Sequence, residues 1–374
     1  MARDINKDPY DETTLTKLDI FEQYLNAWLP VFIQSRYTPR AMICDFCAGS
    51  GQDSVGIPGS PLRILSAIES FREEIVAKDI KIRVLLNDSD PDKAAELQSA
   101  VTERFDPNSW GSKVSITCHE EEFKVLFNQQ YGQLQQQPNL LFIDQYGIKE
   151  VTDDIFQKLI VLDRTDFLFF TSSSYMKRFA DTPEFKTLFP NFDPEAIKSV
   201  KHEDVHRVML EYYKEQIPTD NDTQLYPYTL KKNSNIYGLV FGSKHPLGVE
   251  KFLDLVWKQN CLNGEANFDI DDDVEKARPS LFDVLPDNVR QKTKREVFES
   301  RLEAFIRERG EVTNRDVYLF TLDHGHPKSH AGECIKRLRA EGAVSCDGRI
   351  GFSYDSCVKN GHSALKTIRS TNNG

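Results

Sequence analysis

Five short apolar runs, each stopping at a polar or glycine-rich turn and each followed by a stretch with helical spacing, govern what this chain can fold into. They are AMICDF (41–46), Ile82–Leu86, Val114–Cys118, Leu140–Ile143 and Asp166–Thr171. Runs this short and this uniformly apolar suit strands buried on both faces, and helices between them predict parallel pairing with helices covering the sheet. The intervening segments fit. Pro61–Lys78, Pro91–Phe105, Glu120–Tyr131 and Asp153–Leu162 read as helices, and Pro91 stands at a favoured first-turn position. Ahead of the first run, Thr13–Gln34 carries Leu15, Leu18, Phe21, Leu25, Leu29 and Phe32 at three- and four-residue spacing, the mark of an amphipathic helix.

The rhythm then breaks. Ser174–Thr223 reads as a helical insertion, clearest over His202–Gln216, and two strands follow close together, Tyr226–Lys231 and Ile236–Gly242. Only Lys232-Asn233-Ser234-Asn235 joins them, so they form a hairpin and the sheet ends antiparallel. Leu247–Gln259 is a closing helix. A nicotinamide-binding domain more often adds a sixth parallel strand. The expected fold is therefore the class I methyltransferase-like form of the doubly wound α/β sheet.

A chain of 374 residues suggests more than one domain. Residues 1–265 are expected to form the α/β domain, with the insertion at 174–223, and 266–287 an acidic, proline-containing linker. Residues 288–374 are expected to form a winged-helix-like domain: helices at Asn288–Arg309, Thr313–Asp323 (Thr313 as N-cap) and Ser329–Glu341 (ended by Gly342), then a hairpin over Ala343–Tyr354 turning at Asp347-Gly348. The opening MARDINKDPYDETT has no apolar run, and no stretch approaches the length of a membrane span, which predicts a cytoplasmic chain without a membrane partner. Seven scattered cysteines fit a reducing compartment better than a disulfide framework. A net charge of −11 argues against coating nucleic acid by charge alone, though a local basic groove stays open.

Three strand ends carry candidate chemistry. The first runs Asp45-Phe46-Cys47-Ala48-Gly49-Ser50-Gly51. Its glycines allow a sharp turn and close backbone approach to a ligand, and its acidic residue can accept from a cofactor amino group or from ordered water. The spacing departs from the dinucleotide fingerprint, so S-adenosylmethionine is the expected cofactor, held by Asp45, Cys47, Ala48, Gly49 and Gly51. A glycine loop with no ligand is the alternative. The second strand ends in Asn87-Asp88, where a carboxylate can take both hydroxyls of a ribose; capping of the Pro91 helix is the competing role, for which Asp90 is better placed. The fourth ends in Asp144-Gln145-Tyr146-Gly147, next to the first in the expected sheet. This tetrapeptide resembles the Asp-Pro-Pro-Tyr of amino-group methyltransferases, which implies that Asp144, Gln145 and Tyr146 hold the target nitrogen and its ring. Gln145 replaces the first proline and Gly147 follows the Tyr, and an ordinary strand-to-helix turn explains the segment equally well.

Longer stretches resemble the three-Cys-motif partner proteins, a bacterial family: TKLDIFEQYLNAWLP, CDFCAGSGQDSVGIPGSPLRIL, LFIDQYGI, NSNIYGLVFGSKHPLG and GEVTNRDVYLFTLDHGHPKSHAGECIKRLRAEGAV. The resemblance covers nearly the full length. It implies a class I methyltransferase-like fold and a radical-enzyme-like three-Cys-motif protein as partner. Cys47 and Gln145 depart from the aromatic and the Pro the family tends to carry.

No metal is expected. Cys44 and Cys47 have ligand spacing, but no second such pair exists. His324, His326, His330 and Cys334 more often make a polar turn leading into a helix, and His202 with His206 a solvated helical face. From Arg290 to Glu341 there are twelve Lys or Arg against nine Asp or Glu, so the segment is basic relative to the rest. Lys336, Arg337 and Arg339 lie on the third helix, where winged-helix proteins read a groove, which makes nucleic acid a candidate partner. Docking of a protein is the other reading. The expected function is methyl transfer to an amino nitrogen of a nucleic-acid base; a catalytically inactive scaffold that binds DNA or a partner protein is the alternative.

Overall fold

The computed structural model describes residues 8–78, 80–145, 147–233, 235–278, 291–361 and 365–371. The chain divides into two compact units, Met1–His245 and Pro246–Gly374.

In the first unit α1 (Glu12–Ile33) leads into β1 (Arg40–Asp45), α2 (Ser60–Ser70), α3 (Arg72–Ala77), β2 (Lys81–Asn87), α4 (Pro91–Arg104), β3 (Val114–His119), α5 (Phe123–Leu134), β4 (Asn139–Ile143), α6 (Asp153–Val161) and β5 (Thr165–Ser172). The insertion is α7 (Ser173–Phe179), α8 (Pro183–Leu188), α9 (Pro194–Lys198) and α10 (Val205–Glu215), before β6 (Gln224–Lys232) and β7 (Asn235–Ser243). The sheet order is β3-β2-β1-β4-β5-β7-β6. β1 to β5 pair in parallel, while β7 runs antiparallel to both β5 and β6. That is the Rossmann-like arrangement of a class I methyltransferase fold, with its hairpin at one edge.

The segment Pro61–Lys78 is two helices rather than one, because Phe71 leaves the helical region (φ −107°, ψ 19°). Every residue of β4 is buried, so this strand lies inside two helical layers. α1 supplies part of one layer. Phe21 stacks on Phe142 with ring centroids 4.2 Å apart, and the Tyr24 hydroxyl donates to Asp166 at 2.7 Å. A large cluster on the sheet's other components joins Phe127, Phe156, Phe169 and Tyr213, which ties the insertion to the sheet.

Because β1 lies between β2 and β4, the crossovers leave it in opposite directions. The register puts Asp45 opposite Leu86 on one side and Phe142 on the other. The carboxyl ends of the three strands are therefore level, and a crevice opens there.

The second unit begins with α11 (Pro246–Gln259), earlier than the expected boundary after residue 265. Its contacts give the reason. Pro246 O accepts from the Tyr318 hydroxyl at 3.3 Å, Glu250 pairs with Lys328 at 2.8 Å, and the Trp257 indole donates to Gly325 O at 2.8 Å. Nor are residues 260–278 a free linker. Asn260 donates to Ala266 O at 2.8 Å, Glu265 pairs with Lys294 at 2.7 Å, and Asp269 caps α12 (Asp273–Ala277). The rest of the expected linker, residues 279–287, and the start of the Asn288 helix lie outside the described residues.

There follow α13 (Lys294–Arg309), β8 (Glu311–Thr313), α14 (Asn314–Asp323), α15 (Lys328–Ala340), β9 (Val344–Cys346) and β10 (Thr367–Ser370), around a core that includes Phe298, Leu302, Val317, Leu338 and Ile368. The expected hairpin over Ala343–Tyr354 is not formed. Gly348 turns (φ +78°), but β9 pairs with β10, which sits antiparallel between β9 and β8. Burial of Ile368 between Val312 and Cys346 selects that partner. Thr313 does cap α14. It accepts from Asp316 N at 3.2 Å, and Asp316 accepts from Thr313 N at 2.8 Å. Thr313→Ala is expected to cost about 1 kcal/mol, read as a lower urea midpoint with unchanged slope.

No helix among the described residues is long and apolar enough to cross a membrane.

Candidate functional site

A cavity of about 380 Å³ lies beyond the ends of β1, β2 and β4. Cys47, Ala48, Gly49, Asn87, Asp88, Asp144 and Gln145 all line it, so the fold brings most of the expected residues together. Asp45 and Gly51 stand behind this lining, and Tyr146 lies outside the described residues.

The glycine loop is built for close approach. Gly49 and Gly51 adopt φ +62° and +92°, which a side chain would strain. A Cβ on Gly51 would face Leu97 and Ala100 of α4 at 3.5–3.6 Å, so its service is to the turn. Gly59, which sequence patterning did not single out, closes the loop. Its N–H donates to Gly51 O at 2.8 Å, and a Cβ there would come 2.9 Å from the Tyr10 hydroxyl and 3.0 Å from Gly51 O. Asp53 supports the same turn by accepting from the N–H groups of Tyr10, Val55 and Ile57 at 2.7–3.0 Å.

The carboxylates differ in what they leave free. Asp88 accepts from Gly49 N at 2.9 Å through one oxygen and from Asp90 N at 3.0 Å through the other. It braces the loop and keeps lone pairs for further donors. Asn87 has its whole amide committed: it donates to Phe46 O and Glu121 O at 3.0 and 2.9 Å and accepts from Glu121 N at 3.1 Å. Its side chain clamps two strand ends and offers a ligand nothing. Asp45 is 0% exposed, and its Oδ1 accepts weakly from Cys47 N at 3.3 Å. Oδ2 has no hydrogen-bond partner among the described residues. Burial raises the Asp45 carboxyl to about 7; nearby Ser60 opposes the rise without closing a normal hydrogen bond, and Asp144 adds to it.

A carboxyl that keeps its proton to higher pH when folded stabilises the fold fully below its unfolded range and loses that contribution as pH rises through the folded value. For Asp45 the window runs from about pH 4 to about pH 7, with a loss on the order of a few kcal/mol. In urea melts taken across that window, wild type should lose more stability with rising pH than Asp45→Asn, and an equal loss in both would exclude this ionisation.

Cys47 lines the cavity and is only partly buried. Burial, then Asp144 and Asp45, hold its thiol well above the usual range.

A second cavity, of about 330 Å³, shares Thr14, Asp144 and Gln145 with the first. Asp144 forms an ion pair with Lys17, which is 5% exposed and lies 4.7 Å from the centroid of Phe170. Gln145, where an amino-group methyltransferase carries Pro, is a bracket: its amide donates to Phe170 O at 2.8 Å and accepts from Glu150 N at 2.7 Å. Phe170, Tyr175, Phe179 and Tyr237 give this cavity aromatic walls. Lys17 is legible after the fact as a lysine in the apolar stripe that continues through Phe21, Tyr24 and Trp28.

In the second unit the basic residues of α15 are largely spoken for. Arg337 pairs with Glu299 and Glu341, each at 3.2 Å, and Arg339 donates to Gly348 O at 3.2 Å. Lys336 is exposed. The expected polar histidine turn is instead part of the core. His326 and His330 are buried with their Nδ1 atoms 3.0 Å apart, His326 stacks on Phe298 at 4.1 Å, and burial lowers the pair to about 2 and about 4. His324 stacks on Phe320, and burial pushes the Cys334 thiol up to about 11. His206 is likewise buried, 2.5 Å from the Thr229 hydroxyl, and not on a solvated face. No group of three or more His, Cys, Asp or Glu among the described residues is placed to hold a metal ion.

No family model matches the sequence, and no curated protein is significantly similar to it. Solved structures do resemble parts of it. Trm1 from Pyrococcus horikoshii, in complex with S-adenosyl-L-methionine, aligns over 67% of this chain and 60% of its own at 10% identity, with a TM-score of 0.32. The DszA carbon methyltransferase aligns over 60% and 53% at 13% identity, with a TM-score of 0.30. The human methyltransferase 10 domain containing protein aligns over 63% and 85% at 8% identity, with a TM-score of 0.29. The chain thus spans about three fifths of the Trm1 structure. At these scores the fold rests on the strand order itself.

Proposed function

We propose that this chain is an S-adenosylmethionine-dependent methyltransferase acting on an amino nitrogen, most naturally that of a nucleic-acid base. One observation carries the reading: two cavities at the sheet's switch point share the Asp144-Gln145 turn, so a donor on one side and an acceptor on the other would meet there. The residues fit the cofactor. Asp45 Oδ2, behind the lining, is a buried acceptor with no donor among the described residues, suited to reach a cofactor amino group through ordered water, and Asp88 can take ribose hydroxyls. The Gly49–Gly51 bend and Gly59 form a cradle that side chains would fill. Bound there, S-adenosylmethionine would supply a methyl group already activated on a sulfonium.

The chain's own residues then have three tasks. Gln145 fixes the turn through both ends of its amide. Asp144, shared by both cavities, orients the acceptor's amino group and receives the proton that the methylated nitrogen sheds. Lys17 pairs with Asp144 and holds its side chain in place. Tyr175 and its aromatic neighbours in the lining give apolar surface against which a planar base can pack.

A scaffold without activity is the competing reading, favoured by the committed side chains of Asn87 and Gln145. Transfer of labelled methyl groups from S-adenosylmethionine to oligonucleotides and nucleosides separates the two. Incorporation supports the enzyme, and none from folded protein across adenine, cytosine and guanine acceptors supports the scaffold.

The order α13, β8, α14, α15, β9, β10 supports reading the second unit as winged-helix-like. Nucleic-acid contact through Lys336, Arg337 and Arg339 would have to break the pairs of Arg337 to Glu299 and Glu341. A protein partner, such as the three-Cys-motif protein implied by the sequence resemblance, needs no such break. A cytoplasmic location accords with cofactor supply and with seven free cysteines.

A further inference from the structure

We infer that the second cavity takes a planar ring bearing an anionic group, as in a nucleotide, and that Arg178 is the residue that recognises the anion. The inference rests on the methyltransferase reading only in calling this ligand the acceptor; the binding chemistry stands on the cavity itself.

The walls are aromatic. Phe170 and Tyr237 stack at 5.3 Å with an interplanar angle of 25°, and Tyr175 lies 4.5 Å from Phe179. Aromatic faces in a cavity of about 330 Å³ suit one or two fused rings. The charges select an anion. Of the three cations in the lining, Lys17 is paired with Asp144 and Lys232 with Asp11. Arg178 is exposed, makes no hydrogen bond or ion pair among the described residues, and rests 5.9 Å from the centroid of Phe179. Among the described residues the cavity therefore carries one guanidinium without a carboxylate partner, in a chain of net charge −11. A guanidinium presents a planar fork that matches phosphate or carboxylate in two parallel hydrogen bonds, and stacking on an aromatic face orients it for that use. With no partner among the described residues, it is available to a ligand.

A phosphate beside a base comes either as a free mononucleotide or as a residue turned out of a single strand. Calorimetry distinguishes them with four probes: AMP, adenosine, a single-stranded oligodeoxynucleotide, and S-adenosylhomocysteine to report on the first cavity. For wild type, AMP or the oligonucleotide should bind about 10- to 100-fold more tightly than adenosine. Arg178→Ala should erase that preference, Arg178→Lys should restore part of it, and affinity for S-adenosylhomocysteine should not change. AMP binding assigns the free nucleotide as the source, and binding of the oligonucleotide alone assigns the strand. Equal affinity for AMP and adenosine with no oligonucleotide preference, or a preference that survives Arg178→Ala, overturns the inference. Loss of S-adenosylhomocysteine binding with an intact, Arg178-dependent AMP preference would sink the methyltransferase reading and leave this one standing.

Discussion

Asp144→Asn should lower methyl transfer by about 100- to 1,000-fold while leaving S-adenosylhomocysteine affinity within a few-fold of wild type. The amide keeps the shape of the turn but cannot receive a proton, and it presents a donor where the acceptor's amino group needs an oxygen. The same change strands the Lys17 ammonium, which is 5% exposed and, among the described residues, otherwise has only the face of Phe170. Breaking a buried pair by removing one partner costs about 3–5 kcal/mol, whereas replacing both partners with groups of similar volume is often neutral. Lost activity in the single variant could therefore reflect lost structure. The double variant Lys17→Met/Asp144→Asn separates these effects. Its urea midpoint should return toward wild type, and its transfer rate should stay low. Recovered activity in the double variant would remove Asp144 from the chemistry and leave the pair as a structural tie.

Gly59→Val should weaken S-adenosylhomocysteine binding by about 10- to 100-fold. Gly59 has an ordinary extended backbone (φ −79°, ψ −175°), so the effect is one of space alone. Its Cβ would stand 2.9 Å from the Tyr10 hydroxyl, which can swing away, and 3.0 Å from Gly51 O, which cannot move without the loop. Valine's two further methyl groups push the Gly49–Gly51 bend toward α4, where Leu97 and Ala100 already lie 3.5–3.6 Å from the Gly51 Cβ position. Gly59→Ala, tight at one backbone contact, should fall between the two. Unchanged affinity in the valine variant would mean that the cofactor does not use this loop.

The sheet was legible because burial on both faces leaves a plain trace. LLFI and DFLFFT have no polar alternation, and only a covered parallel strand tolerates that. The antiparallel edge was legible because four residues are too few for a crossover. At the site, position was legible and commitment was not. Strand-end polar residues were expected to face a ligand, and Asp144 and Asp88 do line the cavity. That Asn87 and Gln145 spend their amides on backbone depends on where Glu121, Phe170 and Glu150 arrive in space. Lys17 and Arg178 were missed for opposite reasons. Lys17 sits in a helical stripe whose other members are core, and Arg178 lies in an insertion whose course no periodicity fixes. In the second unit β10 escaped notice because Ile368 alone marks it as core, and the Asp347-Gly348 turn mimics a hairpin.

Calorimetric titration of the full chain with S-adenosylhomocysteine tests the central claim most directly. The account predicts one site per chain with micromolar affinity or better, weakened by Asp45→Asn and Gly59→Val and unaffected by Arg178→Ala. Folded wild-type protein that takes up no heat from the titrant, or that binds it equally well with Gly59→Val in place, contradicts it.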